Sequence, residues 1–166
     1  MTKAEFERLF CRLEKPVYNV VYRWLWHEDE AADVVQEAFL RLWRVRDEVR
    51  GETVDALVFR IAINLASNRR RTRKLWQWTG LAALAELGGT QTPESTAASA
   101  RDRRAVRDAI DTLPEKLRRV VVMTELSGLS YAEVAAALQI PEGTVGSRRN
   151  AGLARLRKTL GGRYEQ

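Results

Sequence analysis

Cysteine and histidine each occur once in these 166 residues, and proline only four times. A single cysteine, Cys11, excludes an internal disulfide and suits a reducing compartment. Its side chain is expected to be a small buried apolar group. His27, the only histidine, sits in the acidic run HEDE. One histidine and one cysteine do not make a zinc site, so no metal is expected. A Gly-rich phosphate loop and a nucleophile motif are both missing, which argues against an enzyme and against a bound cofactor. No apolar run approaches the ~20 residues of a membrane span, so no membrane insertion is expected. The opening MTKAEFERLF is charged and helical in pattern, unlike a signal peptide. A soluble, cytoplasmic protein is the expectation.

What is abundant is positive charge. There are 28 Lys and Arg against 22 Asp and Glu, a net charge of +6 and a pI of about 9.9. Such a balance favours a polyanionic partner. The hydrophobic share of 45% is ordinary for globular protein, and the length suits one medium domain or two small ones.

The stretch Ser127 to Leu160 reads as two helices joined by a tight turn. Ser130 and Glu133 have the S-x-x-E spacing of a capping box. Gly128, just before, can take the left-handed conformation that ends a preceding helix. Val134, Ala135 and Leu138 form a short apolar face. Pro141 suits the first turn of a second helix, whose positive end Glu142 complements. That second helix carries Arg148, Arg149, Arg155, Arg157 and Lys158. A short helix, a turn and a basic helix are the parts of a DNA-binding helix-turn-helix. A plain helical hairpin with a solvated charged face is the bland alternative. The Ala-rich first helix, which lets the second cross closely, favours DNA binding.

Upstream, helical spacing recurs throughout and no alternating strand pattern appears, which predicts an all-α fold. Phe6, Leu9, Phe10 and Leu13 mark a first helix, and Pro16 is expected to start a second, with Val17, Val20, Val21, Trp24 and Leu25 inside. His27 to Glu30 is expected as a polar turn. A helix follows from Asp33 to Arg46 with Val35, Ala38, Phe39 and Leu42 as its stripe. Asp33, Gln36, Glu37 and Leu40 lie together on another side. After a polar connection, Asp47 to Asp55, a helix begins near Ala56, with Leu57, Ile61, Leu65 and Val58 as its core face. From Arg60 to Lys74 it has six basic residues and no acid. Arg60, Asn64 and Asn68 share one stripe. Arginine can grip phosphate or guanine, asparagine can read base edges, and aromatic neighbours suit unstacked bases. A basic helix end complementing its own dipole accounts for one or two arginines, not for the run Arg69, Arg70, Arg71, Arg73, Lys74.

Composition then changes. Trp76 to Ser99 is almost free of charge, and Gly88 to Ala100 is linker-like. Trp76, Trp78, Leu81, Leu84 and Leu87 could form a short amphipathic helix, packed on its own domain or docking a partner. Beyond it, Ala105, Val106, Ala109, Ile110 and Leu113, and then Leu117, Val120, Val121 and Leu126, have helix spacing. The expected architecture is two small helical domains, 1–75 and 101–162, joined by a flexible linker, 76–100.

These motifs resemble those of one family. AADVVQEAFLRLW (Ala31 to Trp43), RIAINLASNRRR, LPEKLR (from Leu113), GLSYAEVA (from Gly128) and GTVGSR (from Gly143) are similar to the signatures of domains two and four of bacterial sigma factors, in the extracytoplasmic-function (ECF) class. The match spans nearly the whole chain except the linker. The resemblance implies a factor without catalytic residues that binds core RNA polymerase and directs promoter recognition, melting and initiation. It implies that Asp33, Gln36, Glu37, Leu40 and Trp43 face the clamp helices of the largest polymerase subunit. An acidic and amide patch suits a basic partner helix. Arg60, Asn64, Asn68, Arg69, Arg70, Arg71 and Arg73 would serve the −10 element, with unpaired bases held as flipped bases are elsewhere. Thr144, Ser147, Arg148, Arg149 and Asn150 would serve the −35 element. The polymerase flap, promoter DNA and an anti-sigma factor are the implied partners, and nucleoid association on polymerase the implied location. The chain departs from the family at Gly146 and Ala151, where basic residues are usual, at Arg149, where an apolar residue is preferred, at Gln139, where a turn glycine is usual, and at Ala32, where an acid is. A stand-alone helix-turn-helix regulator and a helical scaffold are the competing functions. The first predicts tight binding to a palindromic duplex by the isolated protein, the second no salt-sensitive nucleic-acid binding.

Overall fold

A computed structural model describes residues 1–49, 54–78 and 97–164. Every regular element among them is helical. In order they are α1 (Lys3–Leu25), α2 (Glu28–Arg44), α3 (Val54–Trp78), α4 (Ala97–Thr112), α5 (Glu115–Val121), a π-helical turn (Val122–Leu126), α6 (Tyr131–Leu138) and α7 (Glu142–Tyr164).

α1 starts at a capping box. The Thr2 hydroxyl accepts from the Glu5 amide at 3.3 Å, and Glu5 reaches back to the Thr2 amide at 2.7 Å. Pro16 does not start a new helix, as the sequence suggested; it lies exposed inside α1. An interior proline removes one helix hydrogen bond and costs ~3 kcal/mol. The apolar stripe outweighs that cost, because Leu9, Leu13, Val17, Val20, Val21, Trp24 and Leu25 are all buried. Cys11 is exposed on this helix, contrary to the expectation of burial, because it lies off that stripe.

HEDE is not a polar turn either. His27 is the N-cap of α2, its Nδ1 accepting from the Glu30 amide at 3.3 Å. Glu28, Asp29 and Glu30 form the first helical turn, where the dipole favours acids. The stripe of α2, with Val35, Ala38, Phe39 and Leu42, is buried as expected, joined by Ala31 and Val34.

α3 is longer than its pattern suggested and rotated relative to it. Val58 is buried as expected, but Leu57, Ile61 and Leu65 only half so; the other fully buried residues are Val54, Phe59, Ala62, Ile63, Ala66 and Ser67. Three neighbouring helices explain the shift. α3 packs against α1 and α2 and also against α6, so small residues at Ala62 and Ala66 permit close approach where larger ones were expected to mark the core.

In the second half, Gly128 has φ +71, and it and Leu129 donate to the carbonyls of Thr124 and Met123 at 3.1 and 3.0 Å. Those bonds close the π-helical turn as a helix C-cap. The Ser130–Glu133 capping box is present, and Gln139 takes the left-handed position, φ 55, that ends α6. Pro141 immediately precedes α7 and its carbonyl accepts the first amides, from Thr144 and Val145. Gly152 faces α5, where a Cβ would lie 2.5 Å from Val121 Cγ2.

One apolar core runs through both halves. Val120, Val122, Met123, Val134, Ala137 and Val145 cluster with the buried residues of α1 to α3. The segment 79–96, including Leu81, Leu84 and Leu87, lies outside the described residues. Trp76 and Trp78 belong to α3.

Candidate nucleic-acid interface

α2 presents the polar flank that its spacing suggested. Asp33, Gln36 and Leu40 are exposed, and Leu40 keeps half of its surface open. Glu37 is held by Arg41, one turn later, at 2.6 Å, and Asp33 lies 3.5 Å from Arg69. Trp43 is half-buried. Its ring meets Phe6 edge-on at 4.9 Å, and the Arg46 guanidinium lies 4.1 Å above it. That site is built into the α1–α2 junction as well as facing outward.

The residues expected to serve the −10 element all share α3, and each has an intramolecular partner. Arg60 donates to the carbonyls of Ala136 and Ala137, at 2.9 and 3.0 Å. Its guanidinium therefore sits at the negative end of α6. Asn64 accepts from Arg119 at 3.0 Å, and Asn68 from Arg71 at 3.3 Å. Arg69 is the partner of Asp33. Arg70 pairs with Asp111 at 2.8 Å, and Arg71 with Glu115 at 3.0 Å. Arg73 pairs with Glu30 at 2.8 Å. Arg60, Asn64, Arg70 and Arg71 are thus turned towards the second half. The structure brings the expected set together, but against protein.

The electrostatics of this seam centre on two residues that sequence reasoning assigned no role. Arg118, only 6% exposed, donates to the carbonyls of Ile110, Asp111 and Leu113 at 2.8 to 3.1 Å and so closes the end of α4. Loss of hydration, and then the neighbouring Arg70, pull its pKa down to about 10. Glu115 joins Arg71 to Arg119, which lies 2.7 Å away. Partial burial pushes the Glu115 carboxyl upward, but hydrogen bonds from Arg119 and Arg71 outweigh that and hold it below the usual range. The only hint of these roles was the arginine ending LPEKLR.

On the helix-turn-helix, Ser147 and Asn150 are exposed and Thr144 and Arg148 half-buried. Arg149 is committed elsewhere, as the ion-pair partner of Glu125 on the π-helical turn. That pairing holds the Glu125 carboxyl below its ordinary value. It also explains how an arginine stands where an apolar residue was expected. Ala151 faces solvent, whereas a Cβ on Gly146 would rest 3.5 Å from the Tyr131 ring of α6.

Comparison with known proteins places this geometry. Residues 9–75 match the family described as Sigma-70 region 2, and residues 103–156 match Sigma-70, region 4. The ECF RNA polymerase sigma-E factor of Escherichia coli K12 is 37% identical over 153 residues, covering 86% of this chain and 80% of that protein. This chain belongs to the ECF sigma-factor family. The Haemophilus influenzae sigma-E factor is 35% identical over 156 residues, covering 88% of this chain and 82% of its own length. Two solved structures share the fold of this sigma factor. CnrH in complex with the cytosolic domain of CnrY has a TM-score of 0.70 at 23% identity, covering 97% of this chain and 90% of that one. The sigma factor RpoE in complex with the anti-sigma factor NepR, from Bartonella quintana, has a TM-score of 0.67 at 21% identity, covering 94% and 96%. No described helix is long and apolar enough to cross a membrane.

Proposed function

We propose that this chain is a transcription initiation factor that binds core RNA polymerase and directs it to promoters, without catalysis of its own and in the cytoplasm. The observation that carries the reading is the placement of two chemically distinct faces on adjacent helices of a sigma-family chain. α2 offers Asp33, Gln36 and a half-exposed Leu40 outside its buried stripe, a surface for a basic, partly apolar helix. α3 carries Arg60, Asn64, Asn68, Arg69, Arg70, Arg71 and Arg73, the set for −10 DNA. Thr144, Ser147, Arg148 and Asn150 are offered to duplex DNA at the −35 element, with Arg149 holding α7 in place through Glu125. The division into polymerase-binding residues 1–75, a linker 76–100 and a duplex-reading part 101–162 belongs to this proposal. So does an anti-sigma partner, since both structural neighbours are complexed, one with a protein named as such.

Run-off transcription with purified core polymerase on a promoter library tests the proposal. Defined start sites that depend on the added chain support it; no association with core enzyme and no defined starts refute it. Gln36→Ala with Glu37→Lys is expected to weaken competition for core enzyme while leaving the thermal melt close to wild type, because both side chains lie off the buried stripe. Unchanged competition would mean that the polymerase surface lies elsewhere.

A further inference from the structure

The seam between the halves forms an open-mouthed cavity of about 220 Å³ lined by Trp24, Ser67, Arg70, Arg71, Lys74, Glu115 and Arg118. Four of its seven lining residues are cations and one is an acid. Even with Asp111, the partner of Arg70, two positive charges remain unmatched. Lys74 forms no ion pair with a described residue. Arg118 spends Nε and Nη2 on backbone carbonyls, and its Nη1 has no hydrogen bond to a described residue. Its charge is more than nine-tenths buried with no carboxylate bonded to it, which is costly in a dry environment. Ser67, 2% exposed, accepts from Arg119 at 3.1 Å, which leaves its own hydrogen free to donate. Cations from α3 and α5 therefore converge on one space with too few acceptors.

We infer that this cavity binds a small phosphate-type anion, of inorganic phosphate or diphosphate size, bridging Lys74 and Arg71 of α3 to Arg118 of α5. Its volume falls below the ~300–1,000 Å³ of pockets for drug-sized ligands, which favours a compact anion over a whole nucleotide. Free diphosphate and the phosphates of a DNA strand share this chemistry. The site argues for the free anion, because it exists only while α5 lies against α3, and a strand needs α3 uncovered. A ligand that binds only the closed arrangement stabilises it by mass action and opposes DNA on the same helix.

Calorimetric titration of the full chain with pyrophosphate, at ionic strength held constant with sodium chloride, tests the inference together with thermal melts. One saturable site per chain and a rise in melting temperature are expected. Lys74→Glu should weaken binding by about tenfold or more, the loss of a charge-assisted contact. Lys74→Arg should retain it, and Arg71→Ala, at an exposed side chain, should weaken it without unfolding the protein. Effects reproduced by chloride alone, or undiminished binding to Lys74→Glu, would overturn the site. A third arm uses a short single-stranded oligonucleotide. Expected is that pyrophosphate lowers its binding in wild type but not in Lys74→Glu. Lys74-dependent binding of the oligonucleotide with none of pyrophosphate would overturn the free-anion site and assign these residues to DNA. None of these measurements involves polymerase, so they stand apart from the run-off test.

Discussion

At Gly152 a single hydrogen atom decides how closely α7 approaches α5. A methyl group there would meet Val121 Cγ2 at 2.5 Å and, less severely, Leu117. Val121 is buried and cannot swing aside, so one helix must retreat. Gly152→Ala is therefore expected to destabilise the protein by ~1–3 kcal/mol, the cost of an overpacked core, despite the better helix propensity of alanine. Urea denaturation gives the answer; an unchanged or raised midpoint would show that the two helices are not so close. No residue pattern announced this contact, because Gly152 stands in a run, NAGLAR, that reads simply as helix. Local backbone devices were more legible. The Ser130–Glu133 box and Gly128 were readable because their chemistry lies within three or four residues of chain. His27 was missed as a cap because an imidazole is an uncommon one.

Among the elements, α2 was legible in its buried stripe and α3 only in part. α2 buries one stripe, so its periodicity is simple. α3 is covered by α1 and α2 and also by α6, and a helix packed on more than one side has no single apolar stripe to find. For the same reason the basic run of α3 revealed its composition but not its partners on other helices, which lie 36 to 77 residues away in sequence. α7 shows the converse. Of the residues expected to meet the −35 element, Ser147 and Asn150 are exposed, while Arg149 is taken by Glu125. Arg148→Ala is expected to cost duplex affinity and to lower the salt slope by about one, as for loss of one phosphate contact. Arg149→Ala should instead lower the melting temperature and leave that slope nearly unchanged. A titration of each variant with duplex DNA across salt concentrations separates the two roles; equal slopes for both variants would contradict the assignment.

For the molecule as a whole, the decisive contacts are those that cover α3. Arg60, Arg70 and Arg71 reach α6, α4 and α5, and Arg119 returns the grip on Asn64 and Ser67. On the proposed assignment of α3 to −10 DNA, DNA and the second half would compete for the same side chains. Glu115 is the shared acceptor, and its carboxyl titrates lower in the folded chain than in the unfolded one. Its contribution is thus complete above the unfolded value, ~4.3 for a free Glu, and is lost as pH falls through the lower folded value. Melting temperature should drop on acidification through that window, and Glu115→Gln should flatten the drop.

The same competition predicts what removing both acids does at neutral pH. Asp111→Ala with Glu115→Ala frees Arg70, Arg71 and Arg119 but leaves the apolar core intact. Partly exposed ion pairs are worth ~0.2–1 kcal/mol each, so losing the two pairs that cross the seam should shift the balance by ~0.4–2 kcal/mol, or about two- to thirtyfold. Single-stranded promoter DNA should bind the double variant tighter by that factor, with a steeper salt dependence because more cations are free to meet phosphates. Small-angle scattering should show a larger radius of gyration if the halves separate. Tighter binding without expansion would mean that α3 is reached while the halves remain together. Unchanged affinity would mean that these ion pairs do not guard the helix, and that the apolar seam through Val120, Met123 and Val134 alone holds it covered.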